Sequence, residues 1–337
     1  MTSVLSTGVA TSIGSLPHTD ADAAATVVLE RHPELPAAPQ LPSRSAREGM
    51  IAQAAHGIHG VTVLDDGSLR VDAEAVEFGL TAGVPVDAVL APPENGGLLR
   101  FLERIEGRQA PVKVQLTGPV TLGLALARAG VACRPAFAIA GEAVQVRARA
   151  LLDQVARHAP GAPVVAFIDE PSLVVVDHPG FPLPTHAVVD MLTAALASLH
   201  DAAATGIHCC GPTDWRLVFE AAPDILSLPV ALAGTVDPTA LGAFLSGDGW
   251  VAWGAIPTGA PVSDDVSFLW RRLLGVWSDL VRGGCPSLPL RERALVTPAC
   301  GLAGHGPSQA ERVLTLTAQL GERVRDQATS RRLTIGA

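Results

Sequence analysis

The sequence lacks the features that mark three large classes of protein: long apolar runs, clusters of basic residues and a high density of cysteine. Every hydrophobic run meets a charge, Gly or Pro before the ~20 residues that a membrane-spanning helix needs, so we expect no membrane partner. The net charge of -9 and the pI near 5.5 argue against nucleic acid as a partner. Five cysteines, an odd number, in 337 residues do not indicate a disulfide scaffold.

The start of the chain and the cysteine usage together predict a location. Met1-Thr2-Ser3-Val4 has no basic segment followed by an apolar core, so no secretory signal is visible. Unpaired cysteines are typical of a reducing compartment, and we therefore expect a cytoplasmic protein. A small molecule is the expected partner, and the sequence leaves the oligomeric state open.

Eight short apolar runs, most of them separated by helical segments, predict the fold. The runs are Val9–Ile13, Val61–Asp65, Val112–Thr117, Val164–Ile168, Gly206–His208, Asp224–Leu228, Trp250–Ile256 and Ala294–Thr297. This alternation favours an α/β fold of the (β/α)8 TIM barrel type over an open doubly wound sheet. No linker or low-complexity break divides the chain, so residues 1–337 are expected to form a single domain. Asp66-Gly67 and the segment after it predict a hairpin insertion that is not a barrel element.

Polar residues with chemical potential follow the predicted strands at their carboxyl ends. They are Ser15, Asp65, Thr117, Asp169, Glu170, His208, Cys210 and Cys300. Catalytic residues of (β/α)8 barrels come from this end of the strands. We therefore expect these side chains to surround one mouth of the barrel.

Three of these residues form a candidate metal site. Alternate residues of a strand share a face, so His208 and Cys210 point the same way and Cys209 points to the other side. Cys300 follows the eighth strand and brings a third ligand of the type that catalytic zinc takes from proteins. The competing interpretation is a buried core histidine beside small hydrophobic thiols, but a third ligand at another strand end favours metal. The residues that could close the coordination are Glu170, Asp169 and His305, and the sequence does not choose among them.

The proposed ligands predict a reaction type. Two thiolates donate charge to zinc, which makes it a weak generator of hydroxide. The same metal lowers the pKa of a bound thiol and leaves its sulfur nucleophilic. The sequence therefore predicts alkyl transfer to a thiol in preference to hydrolysis.

Five motifs, in order and spanning nearly the whole chain, carry a resemblance to a known family. They are Ser12-Ile13-Gly14-Ser15-Leu16-Pro17, Leu116-Thr117-Gly118-Pro119-Val120-Thr121, Ile168-Asp169-Glu170-Pro171-Ser172-Leu173, His208-Cys209-Cys210 and Pro298-Ala299-Cys300-Gly301-Leu302. The sequence resembles the zinc-bearing C-terminal barrel of the cobalamin-independent methionine synthases. The resemblance implies a zinc-dependent methyltransferase that transfers a methyl group from a methylated folate or another carrier to homocysteine, giving methionine.

The resemblance also implies roles for individual residues. His208, Cys210 and Cys300 would bind Zn²⁺, Asp169 would hold the substrate ammonium as a catalytic-site residue, and the Gly14-Ser15 backbone would hold the carboxylate. Glu170 lies in the same motif and is placed in the substrate site with them. From the residues alone, Asp169 fits an ammonium partner and a buried structural carboxylate equally well.

The sequence departs from the family at several points. Pro229 stands at the end of the sixth strand, where the family has a zinc-binding Glu, and Arg44 or a neighbour stands at the second ammonium-binding carboxylate. The histidine that protonates the folate has no counterpart within Gly254–Thr258, and the extra N-terminal barrel of the full-length enzymes has none in this sequence. An Arg44 that reached the mouth would favour an acidic substrate group, whereas a solvated helix-end arginine would carry no function.

Two other functions compete with thiol methylation. One is a decarboxylase resembling the uroporphyrinogen decarboxylases, whose chemistry needs no zinc thiolates. The other is a barrel that binds a ligand or a metal without turnover, which is compatible with the missing proton donor.

Overall fold

The computed structural model describes residues 5–79, 90–91, 93–259 and 265–335. The expectation about a secretory signal concerns residues 1–4, which lie outside this part. The described strands are β1 Val61–Val63, β2 Leu69–Val71, β3 Val112–Thr117, β4 Val164–Asp169, β5 Ala203–His208, β6 Ile225–Pro229, β7 Trp250–Ile256 and β8 Ala294–Pro298. The described helices are α1 Ala21–Arg31, α2 Met50–Ala55, α3 Ala73–Gly79, α4 Gly96–Arg104, α5 Pro119–Arg128, α6 Cys133–His158, α7 Thr185–His200, α8 Trp215–Glu220, α9 Pro238–Ser246, α10 Val266–Arg282, α11 Ser287–Glu292 and α12 Pro307–Ile335.

Six of the strands form one parallel sheet in the sequential order β3-β4-β5-β6-β7-β8. Helices connect consecutive strands, as parallel pairing requires. The predicted α/β class is therefore confirmed, but the regular sheet is not the complete eight-stranded sheet of a (β/α)8 barrel. Of the helices described, none has the length and apolar character to cross a membrane.

Two extended segments, residues 9–16 and 36–40, lie along the edges of this sheet. The first contains the predicted first strand, Val9–Ile13, and the second lies where the second barrel strand was expected. Ala10 forms an isolated parallel bridge with Val296 of β8, and Ala37 forms another with Lys113 of β3. A third bridge joins the two segments to each other, between Ser15 and Gln40. Prolines in the second segment lack an N–H donor, so a continuous ladder cannot form there.

The prediction of Val61–Asp65 as the second barrel strand is wrong. Val61–Val63 pairs only with Leu69–Val71, in a two-stranded antiparallel sheet. The turn between them contains Gly67 at φ 79°, a conformation that glycine adopts without strain. The predicted hairpin insertion at Asp66-Gly67 is thus confirmed, and the short strand before it belongs to the hairpin.

The inner side of the parallel sheet is mostly apolar in its lower layers, with the buried Lys113 as an exception, and polar at its carboxyl end. Alternate strand residues form a buried cluster with residues of the two extended segments: Leu5, Val9, Leu35, Val165, Phe167, Ala204, Ile225, Ala252 and Leu295. One step further along the strands, Asp169 of β4 lies beside His208 of β5 in the parallel register. The apolar layers therefore support a polar layer at the mouth.

A buried histidine far from this mouth provides a pH prediction. His32 follows α1, is 1% exposed, and its Nε2 donates to the Leu314 carbonyl of α12 at 3.1 Å. Burial lowers the pKa of His32 from 6.5 to about 4, although the Leu314 carbonyl opposes the shift. Because the folded state resists a proton that the unfolded state takes up, the free energy of unfolding falls as the pH drops from 6.5 towards 4.

Replacing His32 by glutamine keeps an N–H donor but removes the group that titrates. Between pH 6.5 and pH 4, the free energy of unfolding measured with urea should fall by ~2–3 kcal/mol more for wild type than for His32→Gln. Parallel pH profiles for the two proteins would contradict this assignment.

Candidate metal centre

The carboxyl ends of β5 and β8 bring three ligand-type side chains together. His208 is the last residue of β5, Cys210 lies two residues beyond it, and Cys300 lies two residues beyond β8. One ligand atom from each residue lies within 4.8 Å of the other two. The cluster could hold a metal ion, and it contains the three residues predicted from the sequence.

The ring of His208 is held on one side and open on the other. Its Nδ1 lies 2.9 Å from Ser227 Oγ, whereas its buried Nε2 has no hydrogen-bond partner in the described structure. A buried imidazole nitrogen without a partner is costly unless another group binds it. Histidines that bind metals typically have one nitrogen on the metal and the other on a polar neighbour. The donor set and the orphaned nitrogen both fit a metal ion.

The two thiols of the cluster shift each other's pKa in opposite directions. The hydrogen bond with Cys210 is the main cause that lowers the pKa of Cys300, and His208 adds to it. The same hydrogen bond and burial raise the pKa of Cys210. One thiolate therefore forms readily, and the second needs a positive charge such as a metal ion.

Cys209 lies outside the cluster, as strand alternation predicts. Its side chain is fully buried in the core, and its Sγ lies 3.5 Å from the Gly211 carbonyl. Burial raises the pKa of the Cys209 thiol to about 11, so this thiol stays protonated and packs as an apolar group.

A cleft of about 380 Å³ opens directly on the three ligand-type residues. Ser15 and Asp169 also line it, together with side chains from the second extended segment and the start of α2. The volume lies in the range of small-molecule sites. The cluster is therefore accessible to a ligand the size of an amino acid.

Asp169 is the buried carboxylate of this cleft. Its Oδ1 is buried and has no hydrogen-bond partner in the described structure. Burial raises the pKa of Asp169 to about 6, although His208 and Lys113 oppose the shift. Lys113 acts on Asp169 through its charge, while its Nζ donates hydrogen bonds to Ile13 O at 2.7 Å and to Gln115 Oε1 at 3.1 Å. One carboxylate oxygen of Asp169 is thus left for a group that enters the cleft.

Gly14 and Ser15 occupy the edge of the site through their backbone. The Gly14 carbonyl accepts from Gln40 N at 3.1 Å, and the Ser15 carbonyl accepts from Leu302 N at 2.8 Å. A Cβ on Gly301 would lie 2.0 Å from Ser15 Oγ, so only glycine permits this contact. Ser15 lines the cleft, and Gly14 lies behind it without lining the cleft.

Glu170 does not face the cleft. Its Oε1 accepts from Val120 N at 2.8 Å, and its Oε2 accepts from Thr121 N at 2.8 Å and Thr121 Oγ1 at 2.6 Å. These amides belong to the first turn of α5, where a carboxylate satisfies free N–H groups and the helix dipole. Burial still raises the pKa of Glu170 to about 7. The sequence places Glu170 in the substrate site, whereas the structure directs its side chain into the helix.

The geometry of the described residues also shows whether Asp169, Glu170 or His305 joins the cluster as a fourth ligand. The metal-type cluster there consists of His208, Cys210 and Cys300, without Asp169, Glu170 or His305. Arg44 is not among the cleft residues and forms an ion pair with Glu48, which is buried and lines the cleft. The position of Arg44 therefore does not support a contact between its side chain and an acidic group of a substrate in the cleft.

Sequence reasoning missed two features of the site. Ser227 contacts His208, and the only signal for it is a hydroxyl residue inside an apolar strand. Glu48 and Met50 also line the cleft, although neither follows a predicted strand. Their approach depends on the break at Gly49, which separates a short 3-10 helix, Ala46–Glu48, from α2.

Comparisons with known proteins add nothing to this geometry. Neither the models of protein families nor the curated proteins contain a match to this chain. The resemblance to the cobalamin-independent methionine synthases thus remains an expectation based on five motifs. The case for a function depends on the cluster and its cleft.

Proposed function

We propose that this protein is a zinc-dependent methyltransferase that converts a thiol such as homocysteine into its methyl thioether. The donor would be a methylated folate or another methyl carrier. The observation that carries the proposal is the cluster of one imidazole and two thiols at the base of a cleft of about 380 Å³. A ligand-binding barrel without turnover is the main alternative.

We infer that the fold is a closed (β/α)8 barrel in which the two extended segments act as the first and second strands. Support comes from backbone hydrogen bonds at both edges: Thr11 N donates to Val296 O at 3.0 Å, and Ala38 N donates to Lys113 O at 2.9 Å. Between the segments, Gln40 N donates to Gly14 O at 3.1 Å. These contacts would complete a ring around one mouth.

Zinc is the metal that best matches the donor set. Two cysteine thiolates and one imidazole are soft and intermediate ligands, which favour zinc over magnesium or calcium. When bound, zinc would hold the substrate sulfur as a thiolate at a lowered pKa while the two cysteine thiolates keep that sulfur nucleophilic. The free thiols of the chain support a reducing, cytoplasmic location.

The other residues of the cleft would bind and orient the substrate. Asp169 presents a buried carboxylate oxygen to the cleft and would pair with the ammonium of an amino-acid thiol. Ser15 lies at the cleft edge, where its backbone would bind the carboxylate, whereas Gly14 does not line the cleft. The fixed positions of these groups relative to Cys210 and Cys300 would aim the sulfur at the donor methyl group.

Two measurements test the proposal. Zinc-edge absorption spectra of the purified protein should report two sulfur neighbours, and three after homocysteine is added. An assay with homocysteine and several methyl donors should yield methionine with at least one of them. Zinc binding without transfer to any thiol would favour the binding barrel, and absence of zinc after supplemented expression would remove the metal site.

The role of Asp169 yields a prediction about substrate choice. Replacing Asp169 by asparagine should lower kcat/KM for homocysteine by about 10–100-fold, because a charge-assisted hydrogen bond contributes about 1.5–3 kcal/mol. The matched comparison is γ-mercaptobutyrate, which is homocysteine without the amino group, and its kcat/KM should change little. Equal losses for both thiols would assign Asp169 to the structure of the site and not to the ammonium.

A further inference from the structure

The structure assigns a second contact to the metal-type histidine through Ser227. Ser227 lies beside His208 in the parallel register of β5 and β6, and its side chain is 1% exposed. Its Oγ lies 2.9 Å from His208 Nδ1, and its carbonyl accepts from Cys209 N at 3.2 Å. Ser227 therefore holds both the ring and the backbone of the stretch that carries two of the ligands.

The hydrogen bond to Ser227 selects one form of the imidazole. A neutral imidazole carries its proton on one nitrogen and a lone pair on the other. If Nδ1 donates to Ser227 Oγ, Nε2 presents its lone pair, and the lack of a protein partner at Nε2 fits that form. The opposite form would carry the proton on Nε2, and that nitrogen could then not bind a metal ion.

Strand β6, which carries Ser227, supplies no fourth ligand to the site. Ser227 is occupied by His208, and β6 ends at Pro229, which has no donor atom in its side chain. Of the nearby carboxylates, Glu170 is held by the first turn of α5, and Asp169 lies outside the cluster. In the described part of the chain, the cluster offers three ligands and no further one.

We propose that Ser227 is a positioning residue that fixes His208 for metal binding, and that, with no fourth ligand among the described residues, a substrate sulfur would bind the metal without displacing any of the three protein ligands. The thiol would lose its proton to solvent as the metal–sulfur bond forms, and no oxidant or reductant is involved. This inference rests on the metal site of the proposed function. It adds the residue that prepares the site and the order of events when the thiol binds.

Zinc affinity of the full-length protein tests the role of Ser227 without any activity measurement. Metal-free protein is titrated with zinc in competition with a chromophoric chelator. Ser227→Ala should bind zinc about 10–100-fold more weakly than wild type, the usual effect of losing a hydrogen bond to a ligand histidine. Ser227→Thr retains the hydroxyl and should recover most of that loss.

A matched control separates positioning from packing. Ser12 is also 1% exposed, and its Oγ has no hydrogen-bond partner in the described structure. Ser12→Ala therefore removes an equally buried hydroxyl that contacts no ligand, and zinc affinity should match that of wild type. Circular dichroism of the metal-free variants checks that each of them is folded before zinc is added.

Cobalt absorption tests whether the substrate sulfur binds the metal while all three protein ligands stay bound. Cobalt-loaded wild type should gain thiolate charge-transfer intensity in proportion to one added sulfur when homocysteine binds, while the bands from the cysteines and the histidine persist. Loss of histidine or cysteine ligation on thiol binding would contradict the proposal that no protein ligand is displaced. Zinc affinity unchanged in folded Ser227→Ala, or lowered equally in Ser12→Ala, would overturn the positioning role. If the wild-type protein bound no metal, the proposed function itself would be contradicted.

Discussion

Replacing Cys300 by serine is expected to lower the affinity for zinc by ~100-fold or more and to abolish thiol methylation. A serine hydroxyl is a poor ligand for zinc at neutral pH, whereas a cysteine thiolate contributes both charge and a strong bond. Removing a ligand should exceed the 10–100-fold cost of removing a partner of a ligand. Chelator competition measures the affinity, and methionine formation measures the transfer.

A cysteine outside the site supplies the control for this prediction. Cys133 is an exposed free thiol at the start of α6, so Cys133→Ser should keep both zinc affinity and activity. If Cys300→Ser retained methyl transfer at the wild-type rate, the zinc–thiolate mechanism would be excluded. Loss of zinc in both variants would point to a general effect of serine substitution and not to ligation.

Replacing Glu170 by alanine is expected to lower the free energy of unfolding by about 3–5 kcal/mol. Val120 N and Thr121 N would lose their acceptor in a buried position, and each such amide costs about 1–3 kcal/mol. The cavity left by the carboxylate adds to the loss. Urea unfolding of the metal-free protein measures this effect apart from any change in metal affinity.

An exposed helix cap offers a comparison for Glu170. Asp20 accepts from Asp22 N and Ala23 N at the start of α1, at distances of 2.8 and 2.9 Å. Solvent can replace that carboxylate, so Asp20→Ala should cost clearly less than Glu170→Ala. If the two substitutions destabilised the protein equally, burial of Glu170 would not be the cause of its effect. A stable Glu170→Ala variant with weakened homocysteine binding would instead restore the substrate role predicted from the sequence.

Much of the parallel sheet could be predicted from local sequence. Most of the strands from β4 to β8 are largely apolar runs that end in polar or turn residues, as strands buried on both faces do, whereas β3 alternates apolar residues with Lys113, Gln115 and Thr117. The alternation of side chains along β5 was enough to separate His208 and Cys210 from Cys209. The rule that function collects at the carboxyl ends of parallel strands then led to Cys300.

The features that sequence reasoning missed depend on contacts between distant segments. A proline-containing segment carries no strand signal, yet Ala38 N and Lys113 N both find backbone acceptors when it lies beside β3. Nothing local indicates that Glu170 turns towards α5 while Asp169 turns towards the cleft. The contact of Ser227 with His208 depends on the register of β5 and β6, which a single sequence does not specify.

The pairing of the first extended segment with β8 affects the order in which the fold can form. Ala10 bridges to Val296, and the Ser15 carbonyl accepts from Leu302 N, so the first extended segment finds these partners only after β8 has been synthesised. A growing chain emerges from the ribosome with His208 and Cys210 long before Cys300. Until Cys300 appears, the nascent chain carries only two of the three ligands. If the cluster binds a metal ion as proposed, all three ligands are present only after Cys300 has been synthesised.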